Sequence, residues 1–257
     1  MGAEPVVGCV LVAGGSGTRL GLGIPKALAT AGASTLLELA VAGVAGAARP
    51  AVAHLVVVVP AADQAPCADL VRVAWRRAGR GGDPVVVAGG ADRQASVAAG
   101  LAALDPGADV VLVHDAARAL APPALVEAVA AAVRDDVVAV VPGLTPADTV
   151  KRLRPEDGPD GRADGLRSVA ETLDRAGLVA VQTPQGFRAD VLRALHLAPR
   201  GPAAATDDAG LAEAAGHPVA VVPGHPEAFK VTTALDLVLA RALLVERRAR
   251  QDDPHDR

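Results

Sequence analysis

Residues 6–26, VVGCVLVAGGSGTRLGLGIPK, constrain this chain more than any other stretch. The opening run is continuous, apolar and rich in β-branched residues, and it ends in glycines. That pattern predicts a strand buried on both faces. The loop Ala13-Gly14-Gly15-Ser16-Gly17-Thr18-Arg19 follows, then Pro25-Lys26. Glycines let backbone N–H groups converge on one point and let a ligand come close, and Arg19 and Lys26 add two cations. A buried strand feeding such a loop predicts a polyphosphate cradle. It is not a Walker A loop, because Lys26 follows Pro25 rather than the last glycine. It is not the dinucleotide fingerprint either, because the third glycine, Gly21, comes one place late. A glycine turn with no ligand is the plain structural alternative.

The length, 257 residues, allows one large domain or two small ones. Hydrophobic residues make up 51% of the chain and aromatic ones only 1%, so the core must be built from Ala, Val and Leu. Scarce aromatics and a net charge of -4 argue against a nucleic-acid partner. Any phosphate must be held by local cations. Cys9 and Cys67 have no CxxC spacing, so two reduced thiols in a cytoplasmic protein are expected rather than a zinc site. The N-terminus lacks a basic leader and no apolar run has membrane-spanning length, so no membrane is expected.

The chain then alternates. Helices are predicted over residues 36–48, capped by Ser34 or Thr35, and over 67–78, where Trp75 reads as packing. Strands are predicted at 55–59, 84–87, 110–113, 137–141 and 219–222, with further helices at 122–134, 190–197 and 234–247. Gly89-Gly90 runs into a polar helix start that Asp92 can cap, and free helix N–H groups suit an acceptor-rich ligand. His114-Asp115-Ala116-Ala117-Arg118 lies at the carboxyl end of a buried strand, where open α/β sheets place ligands. Unpaired charge is costly there, which favours function for Asp115 and Arg118, whereas His114 reads as a satisfied core histidine. Thr206-Asp207-Asp208 reads as a helix start. Residues 149–153 and 166–169 can pair as an exposed arm around a Pro/Gly/Asp-rich tip at 155–164. The reading is one α/β domain over residues 1–247, Rossmann-like, with a mostly parallel central sheet flanked by helices. A β-arm protrudes at about 144–180, and a disordered polar tail spans 248–257.

The opening loop AGGSGTRLGLGIPKAL is similar to the signature of nucleotidyltransferases that activate sugar phosphates. GGADRQASV, VHDAAR, ADTVKR, TLDRAGL, QTPQGF, ATDDA and FKVTT follow in that order. Together they resemble the 2-C-methyl-D-erythritol 4-phosphate cytidylyltransferase family of the non-mevalonate isoprenoid pathway, over almost the whole chain. The resemblance implies transfer of CMP from CTP to the polyol phosphate with Mg²⁺ and release of pyrophosphate. A phosphate nucleophile is already ionised, so the task is to bring two polyanions together and stabilise the α-phosphorus.

By resemblance, Arg19 and Lys26 would hold the triphosphate in the transition state. Lys230 would join the incoming phosphate to the α-phosphate. Arg175 would act on the polyol phosphate from the arm of a second copy, making the enzyme a homodimer. Ala13, Gly14, Gly15, Gly90, Ser96 and Ala116 would bind the nucleotide, with Gly90 and Ser96 reading the cytosine. Asp115, Arg118, Thr149 and Thr183 would bind the polyol and its phosphate. Mg²⁺ binds chiefly through substrate phosphates and waters, which leaves Asp115 as a single weak candidate ligand. The chain departs from the family at Ala91, where an acidic residue is common; Asp92 follows one place later. Two rivals remain at this stage, a ribitol 5-phosphate cytidylyltransferase and a catalytically inactive nucleotide-binding module.

Overall fold

The first strand, β1 (Val7–Val12), sits at the centre of the molecule and alternates between two cores. Val7, Cys9 and Leu11 face one apolar cluster, and Val10 faces the other. Every one of these positions is buried because helices cover both faces. The computed structural model describes residues 4–15, 17–155, 165–199 and 205–252.

A tight hairpin, β2 (Thr30–Ala31) and β3 (Ser34–Thr35), leads into α1 (Leu36–Ala45). A capping box closes the start of α1: the Thr35 hydroxyl accepts from Glu38 N–H at 3.2 Å, and the Glu38 carboxylate accepts from Thr35 N–H at 2.8 Å. Next come β4 (Val52–Val59), α2 (Gln64–Arg77), β5 (Val85–Ala88), α3 (Arg93–Ala103) and β6 (Val110–Asp115). Then follow α4 (Pro123–Ala132), β7 (Ala139–Leu144), β8 (Lys151–Leu153), β9 (Val169–Thr172), β10 (Ala180–Val181) and β11 (Gln185–Arg188). The chain ends with α5 (Ala189–Leu197), α6 (Asp208–Ala214), β12 (Val219–Pro223) and α7 (Ala234–Asp252).

Helices α1, α2 and α4 pack on one face of the sheet through residues such as Val41, Val71 and Val129. Helices α3, α5 and α6 pack on the other through Val97, Leu192 and Ala212. Trp75 is buried and its indole N–H donates to Gly81 C=O, so it is packing, as expected. Both cysteines are buried free thiols.

The sheet is mostly parallel. β1 pairs in parallel with β4 on one side and β6 on the other, β4 pairs with β5, and β7 pairs with β12. The chain leaves β1 toward β5, then returns to β6 on the far side. The carboxyl ends of β1 and β6 therefore form the switch point at which such sheets open a crevice. β11 is the exception: it runs antiparallel between β6 and β7. β10 continues the same line against the far end of β7, and the line is broken at residues 182–184. That break turns the Thr183 side chain toward β6. Its hydroxyl lies 2.8 Å from His114 Nδ1 and accepts from Asp115 N–H at 3.0 Å.

Two expectations need correction. The tail was expected to lose structure from Arg248, but α7 runs on to Asp252; residues 253–257 lie outside the described residues. Pairing of the arm was expected between 149–153 and 166–169, and it is met only in part, with Leu153 opposite Val169 and Arg154 N–H donating to Ser168 C=O at 2.9 Å. The observed partner of β8 is β9, with Lys151 opposite Thr172 and Arg152 opposite Glu171, where an ion pair holds the register. The tip expected at 155–164 falls largely on residues 156–164, outside the described residues.

Burial pushes the His114 imidazole down from its ordinary value to about 4. Below about pH 6.5 the unfolded chain takes up a proton that the folded chain refuses until about pH 4. Stability is therefore full above this window and declines as pH falls through it, by a loss on the order of 3 kcal/mol. Urea titrations at about pH 7 and about pH 4.5 should show that decline in the wild type and a distinctly shallower one in His114→Gln.

Candidate active site

A cleft of about 450 Å³ opens at the switch point. Its walls are the loops that follow four parallel strands: Ala13, Gly14 and Gly15 after β1, Pro60 after β4, Gly89 to Asp92 after β5, and Asp115 to Ala117 at β6. Lys26, Arg93, Ser96 and Lys230 complete it.

The glycine loop is folded back on itself. Lys26 N–H donates to Gly15 C=O at 3.1 Å, and Leu20 N–H to Gly17 C=O at 2.9 Å. Gly17 has φ of 72°, and a Cβ there would meet Ile24 O at 2.7 Å, so only glycine closes this loop. The Lys26 stem passes over Gly15, whose added Cβ would come within 3.4 Å of Lys26 Cε. The lysine is thus laid along the bare backbone that would face a phosphate. Arg19 lies in the single turn Thr18–Leu20, and its side chain is outside the described residues.

The opposite wall is built at the start of α3. Asp92 caps the helix by accepting from Ala95 N–H at 2.7 Å. The Ser96 hydroxyl accepts from Gly90 N–H at 3.1 Å and donates to Asp92 C=O at 2.8 Å. A Cβ on Gly90 would fall 2.4 Å from that of Ala95, which explains the glycine. Ser96 therefore shapes the wall from behind, and the exposed groups there belong to the 89–92 backbone.

The floor is Asp115. Its carboxylate accepts from Lys230 Nζ at 2.7 Å and lies 3.8 Å from Arg93 Nε. Burial alone would raise this carboxyl. Lys230 and then Arg93 outweigh burial and hold it below the usual carboxylate range. Lys230 is delivered here from the other end of the chain, because Val231 N–H donates to Ala117 C=O at 2.8 Å. The early and late lysines thus line one cleft with Asp115 between its walls.

Of the residues singled out from the sequence, Ala13, Gly14, Gly15, Lys26, Gly90, Ser96, Asp115, Ala116 and Lys230 line this cleft. Four others do not. Arg118 donates from Nη1 to Ala228 O at 2.8 Å and from Nη2 to Val181 O at 3.2 Å, and so anchors the segment that carries Lys230, while its buried Nε has no partner among the described residues. The Thr183 hydroxyl lies against His114 Nδ1 and accepts from Asp115 N–H, so it braces the floor. Thr149 is exposed beyond β7. Arg175 is exposed in the single turn Arg175–Gly177, where its guanidinium donates to Ala147 C=O. No three His, Cys, Asp or Glu side chains cluster as a metal site among the described residues.

Sequence reasoning passed over Arg93 and Asp208. Arg93 reaches from the first turn of α3 into the cleft and pairs with Asp208 at 2.7 Å. The signal was in ATDDA: Asp207 caps α6 by accepting from Gly210 N–H, which leaves a second, buried aspartate that needs a cation.

A family model described as 2-C-methyl-D-erythritol 4-phosphate cytidylyltransferase matches residues 7–246. A protein of that name from Streptomyces avermitilis is 48% identical over 239 residues, 93% of this chain and 92% of the relative. A bifunctional IspD/IspF enzyme of Clavibacter michiganensis is 51% identical over 243 residues. That alignment takes in 93% of this chain, which spans about half of the bifunctional relative, 55%. The crystal structure of the Thermus thermophilus cytidylyltransferase superposes with a TM-score of 0.69 at 35% identity, covering 94% of this chain and 98% of that one. The Anaerococcus prevotii 4-diphosphocytidyl-2C-methyl-D-erythritol synthase superposes with a TM-score of 0.77 at 26% identity, covering 94% and 97%. The chain belongs to the 2-C-methyl-D-erythritol 4-phosphate cytidylyltransferase family.

Proposed function

We propose that this protein transfers CMP from CTP to 2-C-methyl-D-erythritol 4-phosphate in isoprenoid precursor biosynthesis. The products are 4-(cytidine 5'-diphospho)-2-C-methyl-D-erythritol and pyrophosphate. The observation that carries the reading is the meeting of Lys26 and Lys230, from opposite ends of the chain, in one cleft floored by Asp115. Two polyanions can approach each other only where such cations are already in place.

The incoming phosphate is ionised, so no side chain has to remove a proton. Lys26 and the N–H groups of the glycine loop hold the triphosphate, with Arg19 joining from the same loop. Lys230 bridges the attacking phosphate and the α-phosphate, and Asp115 keeps its ammonium aimed until substrate arrives. The cytosine lies against the 89–92 backbone, which presents edges suited to hydrogen bonding. Mg²⁺ supplies charge neutralisation on the phosphates when bound. A cleft with Asp115 and Asp92 as its two carboxylates fits a metal held mostly by phosphate oxygens and water.

The polyol subsite is shared between two copies in this reading. Thr149 and Arg175 stand on the arm, away from their own cleft, and the arm exposes Val169 and Val179. A second copy covers these apolar residues and receives Arg175 beside its polyol phosphate. The buried reduced thiols Cys9 and Cys67 fit a cytoplasmic setting.

The deciding assay follows pyrophosphate release from CTP with methylerythritol phosphate and with ribitol 5-phosphate. Higher kcat/KM for the former is expected. Preference for ribitol 5-phosphate overturns the substrate, and release with neither overturns the enzyme. Lys26→Ala should lower kcat by roughly 10²-fold or more while circular dichroism stays unchanged. Mixing Lys26→Ala with Arg175→Ala subunits should restore part of the lost activity, measured against each variant alone. Heterodimers that form without recovery would remove the shared site.

A further inference from the structure

Behind the cleft wall lies a buried chain of charges that the proposed mechanism does not use. Asp208, the first residue of α6, has a side chain only 1% exposed. Its Oδ2 accepts from Arg93 Nη1 at 2.7 Å, and its Oδ1 lies 2.9 Å from His196 Nε2 on α5. An ionised carboxylate only accepts, so that ring nitrogen carries the proton. The His196 side chain is 3% exposed. Arg93 is the only member of this trio that reaches the cleft, where Nε stands 3.8 Å from Asp115 Oδ1.

We propose that Asp208, braced by His196, is a positioning residue for the transfer reaction: it fixes Arg93 against Asp115, and so keeps Asp115 and Lys230 in register at the reacting end of the cleft. The inference rests on the function proposed above. Three observations support it. First, a buried carboxylate is poor value for stability alone, since apolar residues of similar volume fill such a site at least as well. Second, the two Asp208 oxygens are divided between two donors, so rotation about the carboxylate is blocked. Third, Arg93 begins α3 directly after the 89–92 wall, so the same clamp joins the nucleotide wall to the Asp115 floor. The planar guanidinium meets Asp208 with Nη1 and stands beside Asp115 with Nε, two separate nitrogens in a fixed fork, whereas a lysine offers one nitrogen for both.

The test compares Asp208→Asn, His196→Gln and Arg93→Lys. Asp208→Asn should lower kcat/KM for the polyol phosphate roughly 10- to 100-fold, with KM for CTP changed less than about threefold. Arg93→Lys should lose a similar amount despite keeping the charge, and His196→Gln less. The double variant Asp208→Asn/Arg93→Lys should be no worse than the poorer single one, because both break one clamp. Unchanged kcat/KM in folded Asp208→Asn, additive losses, or rescue by lysine at position 93 would each overturn the proposal. If Asp208→Asn does not fold, Arg93→Lys, altered at a part-exposed side chain, decides alone. A crystal structure of whichever variant folds gives a readout independent of turnover. The residue at position 93 should have moved away from Asp115; an unmoved one overturns the clamp even if the parent enzyme proves inactive toward both polyol phosphates.

Discussion

One carboxylate at the end of one buried strand organises this molecule. Asp115 closes β6, where burial disfavours its charge, and the structure answers with Lys230 and Arg93 at the carboxylate, while its backbone N–H is fixed by donating to the Thr183 hydroxyl. Each partner arrives from a different part of the chain. Lys230 comes from the segment before α7, Arg93 from the start of α3, and Thr183 from the break between β10 and β11. Satisfying the buried charge and the backbone N–H of a single residue therefore draws three distant segments to the mouth of the sheet. The same place is the switch point of strand order, so the crevice and its charges coincide by topology.

The interruption in the antiparallel line has a consequence for the floor. A continuous strand over 180–188 would send Thr183 into the ladder with β7. Broken, it lets Thr183 reach His114 and the Asp115 N–H. The neutral His114 ring, held that way by burial, adds no competing positive charge under Asp115. Arg118 uses the same region differently, tying the β10 carbonyl to the turn that carries Lys230.

What could be read from the residues divides along physical lines. The apolar runs of β1, β4 and β6, and the caps at Thr35 and Asp92, are local signals of period and side-chain chemistry, and the structure matches them closely. The glycine loop was legible because Gly17 and the Gly89-Gly90 pair serve close backbone approach, which few other residues allow. The arm register was not, because β8 and β9 are exposed and no buried face fixes their pairing. Arg118 was read as a ligand contact from its place near a strand end, and Thr183 from the family resemblance alone. Only three-dimensional contacts reveal that Arg118 also ties two carbonyls together and that the Thr183 hydroxyl also accepts from Asp115 N–H. Asp208 was hidden for the opposite reason: beside the cap Asp207 it looks like ordinary helix-start chemistry, and burial cannot be read from a helix of seven residues.

The paired state of the cleft before substrate arrives follows from the same electrostatics. Lysines and arginine gathered for a triphosphate would repel one another in an empty cleft. Here Lys230 rests on Asp115, and Arg93 is divided between Asp115 and Asp208. The carboxylates hold each cation in place while leaving it partly in water, 44% of the Lys230 side chain and 31% of that of Arg93 being exposed. A triphosphate carries more charge than Asp115 and can draw Lys230 forward, while the Asp208 anchor lies too deep to be displaced. Arg93 would then remain the fixed point from which Asp115 is held as Lys230 changes partners. The cleft thus carries ion pairs of two depths, an outer one between Lys230 and Asp115 and an inner one between Arg93 and the buried carboxylate of Asp208.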